Sequence, residues 1–249
     1  MLSKSQISLL KSLQQKKNRK THGLFLVEGI KSVKEFAHSA YHIETIYHTP
    51  ASASKMLNLS QKINFHETSA ANLEKFSSLT TPQEVIAIVK IPQWPVLSTK
   101  QLTKSFSLVL DGIQDPGNLG TIIRTADWFG IDTIICSEDT VDAYNPKVVQ
   151  ATMGSLSRIN VHYADISSLI KTTKLPVFGA LLDGKSIYDT DFGPEGLIVM
   201  GNEGNGISPE IEALIQNRVT IPQRGKAESL NVAIATAIFC SEVCRKTFK

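Results

Sequence analysis

The chain of 249 residues, 42% hydrophobic and 20% charged, is long enough to bury a real core in one large domain or two modest ones. Its net charge of +3 hides an imbalance, because residues 1–100 carry 13 Lys+Arg against 6 Asp+Glu and the remainder 13 against 17. The three cysteines show no CxxC spacing, no apolar run is long enough to span a membrane, and no signal-peptide pattern opens the chain, so a disulfide scaffold is excluded and a reducing cytoplasm is expected.

A basic helix is expected over residues 3–17, with a break over 18–23. The first acidic residue is Glu28, and Lys4, Lys11, Lys16, Lys17, Arg19 and Lys20 all precede it. By itself such a run reads as a solvated helix face, but the surplus of positive charge in this half points to a polyanionic partner. Apolar strands are expected at 24–27, 43–47 and 84–91, with a helix over 30–40, which together make a small α/β unit. Ile91-Pro92-Gln93-Trp94-Pro95 reads as an extended linker, since its two prolines remove backbone donors and disfavour helix and central strand.

Beyond the linker, short apolar runs at 107–110, 132–136, 158–163, 177–182, 197–200 and 218–221 alternate with helical stretches. That pattern predicts an α/β fold with a parallel sheet covered on both faces. Pattern alone would make it a Rossmann-type doubly wound sheet. Three motifs sit at strand-to-helix junctions. The first contains Asp111-Gly112-Ile113-Gln114-Asp115-Pro116-Gly117-Asn118 and runs into a helix. Asn118 is placed to cap it, and Leu119, Ile122, Ile123, Ala126 and Phe129 form its apolar stripe. Arg124 lies nearly opposite that stripe, so it is not a packing residue. The second motif is Met200-Gly201-Asn202-Glu203-Gly204-Asn205-Gly206-Ile207-Ser208, whose glycines permit close backbone approaches. It is neither G-x-G-x-x-G nor a P-loop. The third runs from Ile221-Pro222-Gln223 to Glu228-Ser229-Leu230-Asn231-Val232-Ala233, where Ser229 is placed to cap the last helix or to serve a site.

In order and content these motifs resemble the signatures of the SpoU/TrmH family, RNA 2′-O-ribose methyltransferases of the SPOUT superfamily. Phe25-Leu26-Val27-Glu28-Gly29 resembles the ribosomal-protein-like substrate-binding domain often fused to them. The resemblance implies a small α/β RNA-binding domain over 1–91, a linker over 92–103, and a SpoU methyltransferase domain over 104–249 with a trefoil knot. It implies S-adenosyl-L-methionine as cofactor and a homodimer formed through the knot domain. RNA is the implied partner, ribosomal favoured over transfer RNA, and neither a metal nor a membrane is required.

By the same resemblance Asn118, Arg124, Glu203, Ser229 and Asn231 carry catalysis. Leu182, Met200, Gly201, Ile221, Pro222 and Leu230 hold the cofactor, and Lys16, Lys17, Arg19 and Lys20 bind RNA phosphates. A free guanidinium is a poor base, so Arg124 acts either as a strongly perturbed base or by positioning the hydroxyl and stabilising the alkoxide. Glu203 either orients its loop or pairs with Arg124. His38 and His42 lack a third ligand and read as surface or packing residues. Two other readings compete: an RNA-binding protein without catalysis, against which the five retained site residues count, and a nicotinamide oxidoreductase, against which the missing glycine fingerprint counts.

Overall fold

In the computed structural model, which describes residues 2–95, 97 and 99–245, the basic N-terminus forms two helices instead of one. Helix α1 (Lys4–Ser12) opens with a capping box: the Ser3 side chain accepts from the Gln6 N–H, and the Gln6 carboxamide accepts from the Ser3 N–H. Helix α2 (Lys16–His22) occupies the stretch expected to be a break and ends on Gly23 at φ 64°, a left-handed cap that glycine adopts without strain. The interruption falls at residues 13–15. Arg19 is the reason, because its guanidinium donates to the carbonyls of Leu13 and Gln14 that the end of α1 leaves unpaired.

Strand β1 (Leu24–Glu28), helix α3 (Ile30–Ala37), strands β2 (Ile43–His48) and β3 (Asn64–Glu67), helix α4 (Ala70–Glu74) and strand β4 (Val85–Lys90) follow. Their sheet has the order β1-β4-β2-β3, antiparallel except for the β2–β3 pair. Leu10, Leu13, Leu26, Tyr47, Leu73, Phe76 and Ile86 build its core. Strand β3 was not expected, since all four of its residues are exposed and no apolar alternation marks it.

The second sheet has six strands, all parallel, in the order β10-β8-β9-β5-β6-β7. In chain order its elements are β5 (Phe106–Leu110), α5 (Pro116–Phe129), β6 (Thr133–Cys136), then α6 (Pro146–Ala151), β7 (Asn160–Tyr163), α7 (Ile166–Thr172), β8 (Val177–Ser186), β9 (Gly196–Met200), α8 (Pro209–Glu212), β10 (Asn217–Thr220) and α9 (Val232–Cys244). Strands β5 and β9 are buried at every residue, as expected for central strands covered on both faces. Val109, Ile135, Val177, Leu197 and Val199 pack there with Ile166, Ile170, Ile207 and Ile211. Each fully buried side chain of this kind contributes roughly 1.5–3 kcal/mol.

Two compact units emerge: Met1–Gln93 with Asp142–Ser157, and Trp94–Val141 with Arg158–Lys249. The division is not the continuous one expected. Within the first unit, the Tyr144 ring packs tilted against Phe25 with centroids 4.8 Å apart and Asp142 pairs with Arg19 at 2.7 Å, so α6 and its flanks belong there although they lie beyond the expected linker. Residues 91–95, expected to be extended, form no helix or strand, and positions 96 and 98 of the 92–103 stretch lie outside the described residues. Thr99–Leu102 forms a 3-10 turn, and Leu102 is 1% exposed in the core of the second unit.

Candidate active site

In a parallel sheet every strand ends at the same edge, and in the second unit β5, β9 and β10 each run into one of the three motifs there. The edge is tied together by backbone and carboxylate bonds. The Asp111 N–H donates to the Met200 carbonyl at 2.9 Å, and the Asp111 carboxylate accepts the Ser208 N–H at 2.7 Å. Asn202 donates to the Gly112 carbonyl at 2.6 Å and accepts from the N–H groups of Gly204 and Asn205, which shapes the second motif into a tight loop.

Over this base runs a chain of side chains. Asn231 Nδ2 donates to Asn118 Oδ1 at 2.9 Å, and Asn118 Nδ2 donates to Glu203 Oε1 at 3.0 Å. The Glu203 carboxylate also accepts the N–H groups of Gln114 and Asp115, each at 3.2 Å. Partial burial pushes this carboxyl up, but hydrogen bonds from Asn118, its own N–H, Gln114 and Asp115 outweigh that effect and hold it below the usual carboxylate range. It is an anion at neutral pH.

Several expectations change. The cap of α5 is Asp115, whose Oδ1 accepts the Asn118 N–H at 2.8 Å, and this leaves the Asn118 side chain for the chain just described. Asn231, not Ser229, caps α9, accepting from Ala233 and Ile234. Its amide therefore does two things at once, one atom each. Ser229 is exposed and, among the described residues, without a hydrogen-bond partner. Glu203 makes no ion pair with Arg124, because its oxygens are taken by amides. Arg124 is exposed on α5, away from the buried stripe of Leu119, Ile122, Ile123 and Ala126, and pairs with no carboxylate among the described residues.

At the cofactor positions, Met200 and Gly201 are buried at the end of β9, whereas Leu182 is 77% and Leu230 49% exposed. Ile221 is half-buried and Pro222 exposed after β10, whose Thr220 hydroxyl donates to the Leu182 carbonyl at 3.1 Å. A Cβ at Gly201 would stand 2.2 Å from backbone atoms of Gly206 and Ile207, so glycine is required there by the loop's own backbone. The loop backbone itself therefore makes a close approach at Gly201.

Of the four expected phosphate contacts, Lys16, Lys17 and Lys20 are exposed on α2. Arg19 is a correction: it is 2% exposed, and its guanidinium is used up by Asp142, Leu13 and Gln14. No cluster of metal-ligating side chains occurs among the described residues. Burial pushes the Cys240 thiol up to about 12 and raises Cys136 further, which leaves both as core residues.

A model of the SpoU rRNA methylase family matches residues 105–241, over half of the chain, and one of the MRM3-like substrate binding domain matches residues 4–87. The chain belongs to the SpoU rRNA methylase family. It is 31% identical over 232 residues, 92% of this chain and 91% of the relative, to the 23S rRNA (guanosine(2553)-2′-O)-methyltransferase RlmP of Bacillus subtilis. A TrmH-family protein of Porphyromonas gingivalis superposes with a TM-score of 0.90 at 40% identity, covering 99% of both chains. An AdoMet-bound rRNA methyltransferase of Sinorhizobium meliloti does so at 0.87 and 28%, covering 100% of this chain and 98% of the other. Asp111, Asp115 and Asn202 also shape the site without having been expected to. Each lies inside a motif, but the bonds of Asp111 to Ser208 and of Asn202 to Gly112 join segments 90 or more residues apart and cannot be read from spacing.

Proposed function

We propose that this SpoU-family chain transfers a methyl group from S-adenosyl-L-methionine to the 2′-oxygen of one ribose in structured RNA, ribosomal RNA in preference to transfer RNA. The observation that carries the reading is the Asn231–Asn118–Glu203 chain, which joins all three motifs at the strand ends of the parallel sheet. The cofactor fits the same edge. Exposed Leu182 and Leu230 offer apolar surface to an adenosine, while Met200, Gly201, Ile221 and Pro222 supply backbone at the ends of β9 and β10. When bound, it supplies a methyl already activated on a sulfonium, so the protein needs alignment and charge stabilisation more than further chemistry.

The residues divide that work. Glu203, held as an anion by amide donors, fixes Asn118 and through it Asn231. Ser229 and Asn231 present polar groups beside the ribose. Arg124 holds the 2′-hydroxyl and stabilises the oxyanion as its proton passes to water, a role its charge suits better than that of base. Lys16, Lys17 and Lys20 give the first unit its RNA affinity through phosphates.

A homodimer formed through the methyltransferase unit, with the family's trefoil knot, belongs to the same proposal. Its support is exposed apolar surface on two helices packed against each other: Trp128 of α5 is 83% and Ile234 of α9 53% exposed. No helix among the described residues is long and apolar enough to cross a membrane, and a cytoplasmic location suits an RNA-modifying enzyme. The experiment is transfer of labelled methyl from S-adenosyl-L-methionine to ribosomal RNA, with mapping of ribose positions that become resistant to alkaline cleavage. Methyl found on bases, or no transfer with bound cofactor, would overturn the reading.

A further inference from the structure

All six arginines of the chain are described, and four of them are held by carboxylates: Arg19 by Asp142, Arg158 by Asp127, Arg218 by Asp183 and Glu212, and Arg245 by Glu242. The two without an ion pair among the described residues are Arg124 and Arg224. Arg124 lies on α5, the helix that carries the first motif.

Arg224 lies in a loop that both starts and ends in the site. The loop leaves β10 at Thr220, bonded to the Leu182 carbonyl, and closes at Asn231, bonded to Asn118. Residues 222–231 are all exposed. The segment has no helix or strand, but a single side chain braces it: Gln223 Nε2 donates to the Gly225 carbonyl at 3.0 Å and to the Ala227 carbonyl at 2.5 Å. The brace holds Arg224 and Lys226 on either side of a bend at Gly225, and a Cβ at Gly225 would meet nothing within 4 Å. Neither cation has a carboxylate partner among the described residues, and Glu228 is the only acidic residue of the stretch. Space, two uncommitted positive charges and an internal brace occur together.

We propose that Arg224 and Lys226 form a phosphate clamp that grips the RNA backbone beside the target ribose, with Gln223 as its positioning residue. The inference rests on the RNA-methylation reading above and adds to it a second RNA contact, in the methyltransferase unit itself. The need is electrostatic. This half of the sequence carries a surplus of acidic residues, and Glu203 is a fixed anion in the site, so approach of a polyanion requires local cations. The planar guanidinium suits two phosphate oxygens at once, and the lysine adds a point charge. A cofactor carboxylate is the competing ligand, and it is the less fitting one, because a single carboxylate does not call for two cations on a wholly exposed bend.

The test compares Arg224→Gln/Lys226→Gln and Gln223→Ala with the unaltered full-length protein. Binding of a structured ribosomal RNA transcript is measured across a salt series, with cofactor affinity by calorimetry and single-turnover methyl transfer alongside. The double variant is expected to flatten the slope of log affinity against log salt by about 1–2, from a loss of roughly 0.7–0.9 per phosphate contact. Its cofactor affinity is expected to stay within about twofold. Gln223→Ala keeps both charges, so its salt slope should hold while transfer from sub-saturating RNA falls several-fold. An unchanged slope in the double variant overturns the clamp, and so does a loss of cofactor affinity, which would assign the cations to the cofactor carboxylate. A Gln223→Ala protein with wild-type transfer removes Gln223 from the proposal. The binding slopes need no turnover, so they judge the clamp even if methyl transfer to ribose, the reading beneath it, fails.

Discussion

The two units use polar residues in opposite ways. In the first, Lys16, Lys17 and Lys20 stand exposed on a seven-residue helix with no acidic residue of its own. In the second, Asn231 bonds to Asn118 and Asn118 to Glu203, and the two ends of this chain accept backbone N–H groups, Glu203 from Gln114 and Asp115 and Asn231 from Ala233 and Ile234. Exposed charges act by number and at a distance, and they are screened by salt. A linked chain of hydrogen bonds acts by geometry, where loss of one member misplaces the rest. Arg19 shows that residue type does not decide between these modes. It lies in the same basic run as the lysines, yet it is buried and fully bonded.

The sharpest break in the comparison is therefore Arg19→Ala. Removing one partner of a buried pair leaves Asp142 uncompensated and strands two carbonyls, for an expected loss of about 3–5 kcal/mol in denaturant unfolding. A loss below about 1 kcal/mol would return Arg19 to the exposed group. Next comes Arg124→Ala, which should lower single-turnover methyl transfer by at least ~100-fold while cofactor binding and melting temperature change little, because the side chain lies outside the core. Lys at this position should rescue only in part, since it keeps the charge without the fork. Near-wild-type transfer by Arg124→Ala would remove it from the chemistry.

Replacing Lys16, Lys17 and Lys20 by Ala should act by number. The salt slope of RNA binding is expected to flatten by about 2–3 with unchanged cofactor affinity, and single replacements should give about a third of that each. One lysine carrying the whole effect would mean that this helix works by geometry after all. The smallest effect is the pH response of Glu203. Its folded pKa lies below the unfolded value, so its contribution is fully present above the ordinary carboxylate range and is lost as pH falls through the folded value. In Glu203→Gln that part of the acid dependence of unfolding should disappear, while stability above pH 6 or so changes only slightly for so exposed a group. An acid limb identical to wild type would show that the carboxylate is not held by its amide donors in solution.

Most of the second unit was legible in the chain. Apolar runs of strand length mark five of the six strands to within a residue or two. The sixth, β8, continues four residues past its expected end, to Ser186, because β10 pairs with it there after a register shift. The first unit was less legible. Strand β3 is an exposed edge with no alternation, and the α1–α2 turn depends on a side chain reaching back to carbonyls. At the site the residue types were readable and their partners were not. Asn118 and Asn231 stood out by motif, but a capping role was assigned to Asn118, because spacing favours a local bond over one 113 residues away.

What the sequence by itself determined is the set of elements and the three motifs, since both depend on local periodicity and on residue types that tolerate tight turns. The tertiary structure alone decided which polar groups are spent and which are free. It put Arg19 into a buried pair and left Arg124 and Arg224 without one among the described residues. It also gave residues Asp142–Ser157 to the first unit, although they lie between β6 and β7 of the second unit's sheet. Hydrogen bonds and ion pairs are satisfied in space and not along the chain, so a residue's commitment is fixed only when distant segments have packed.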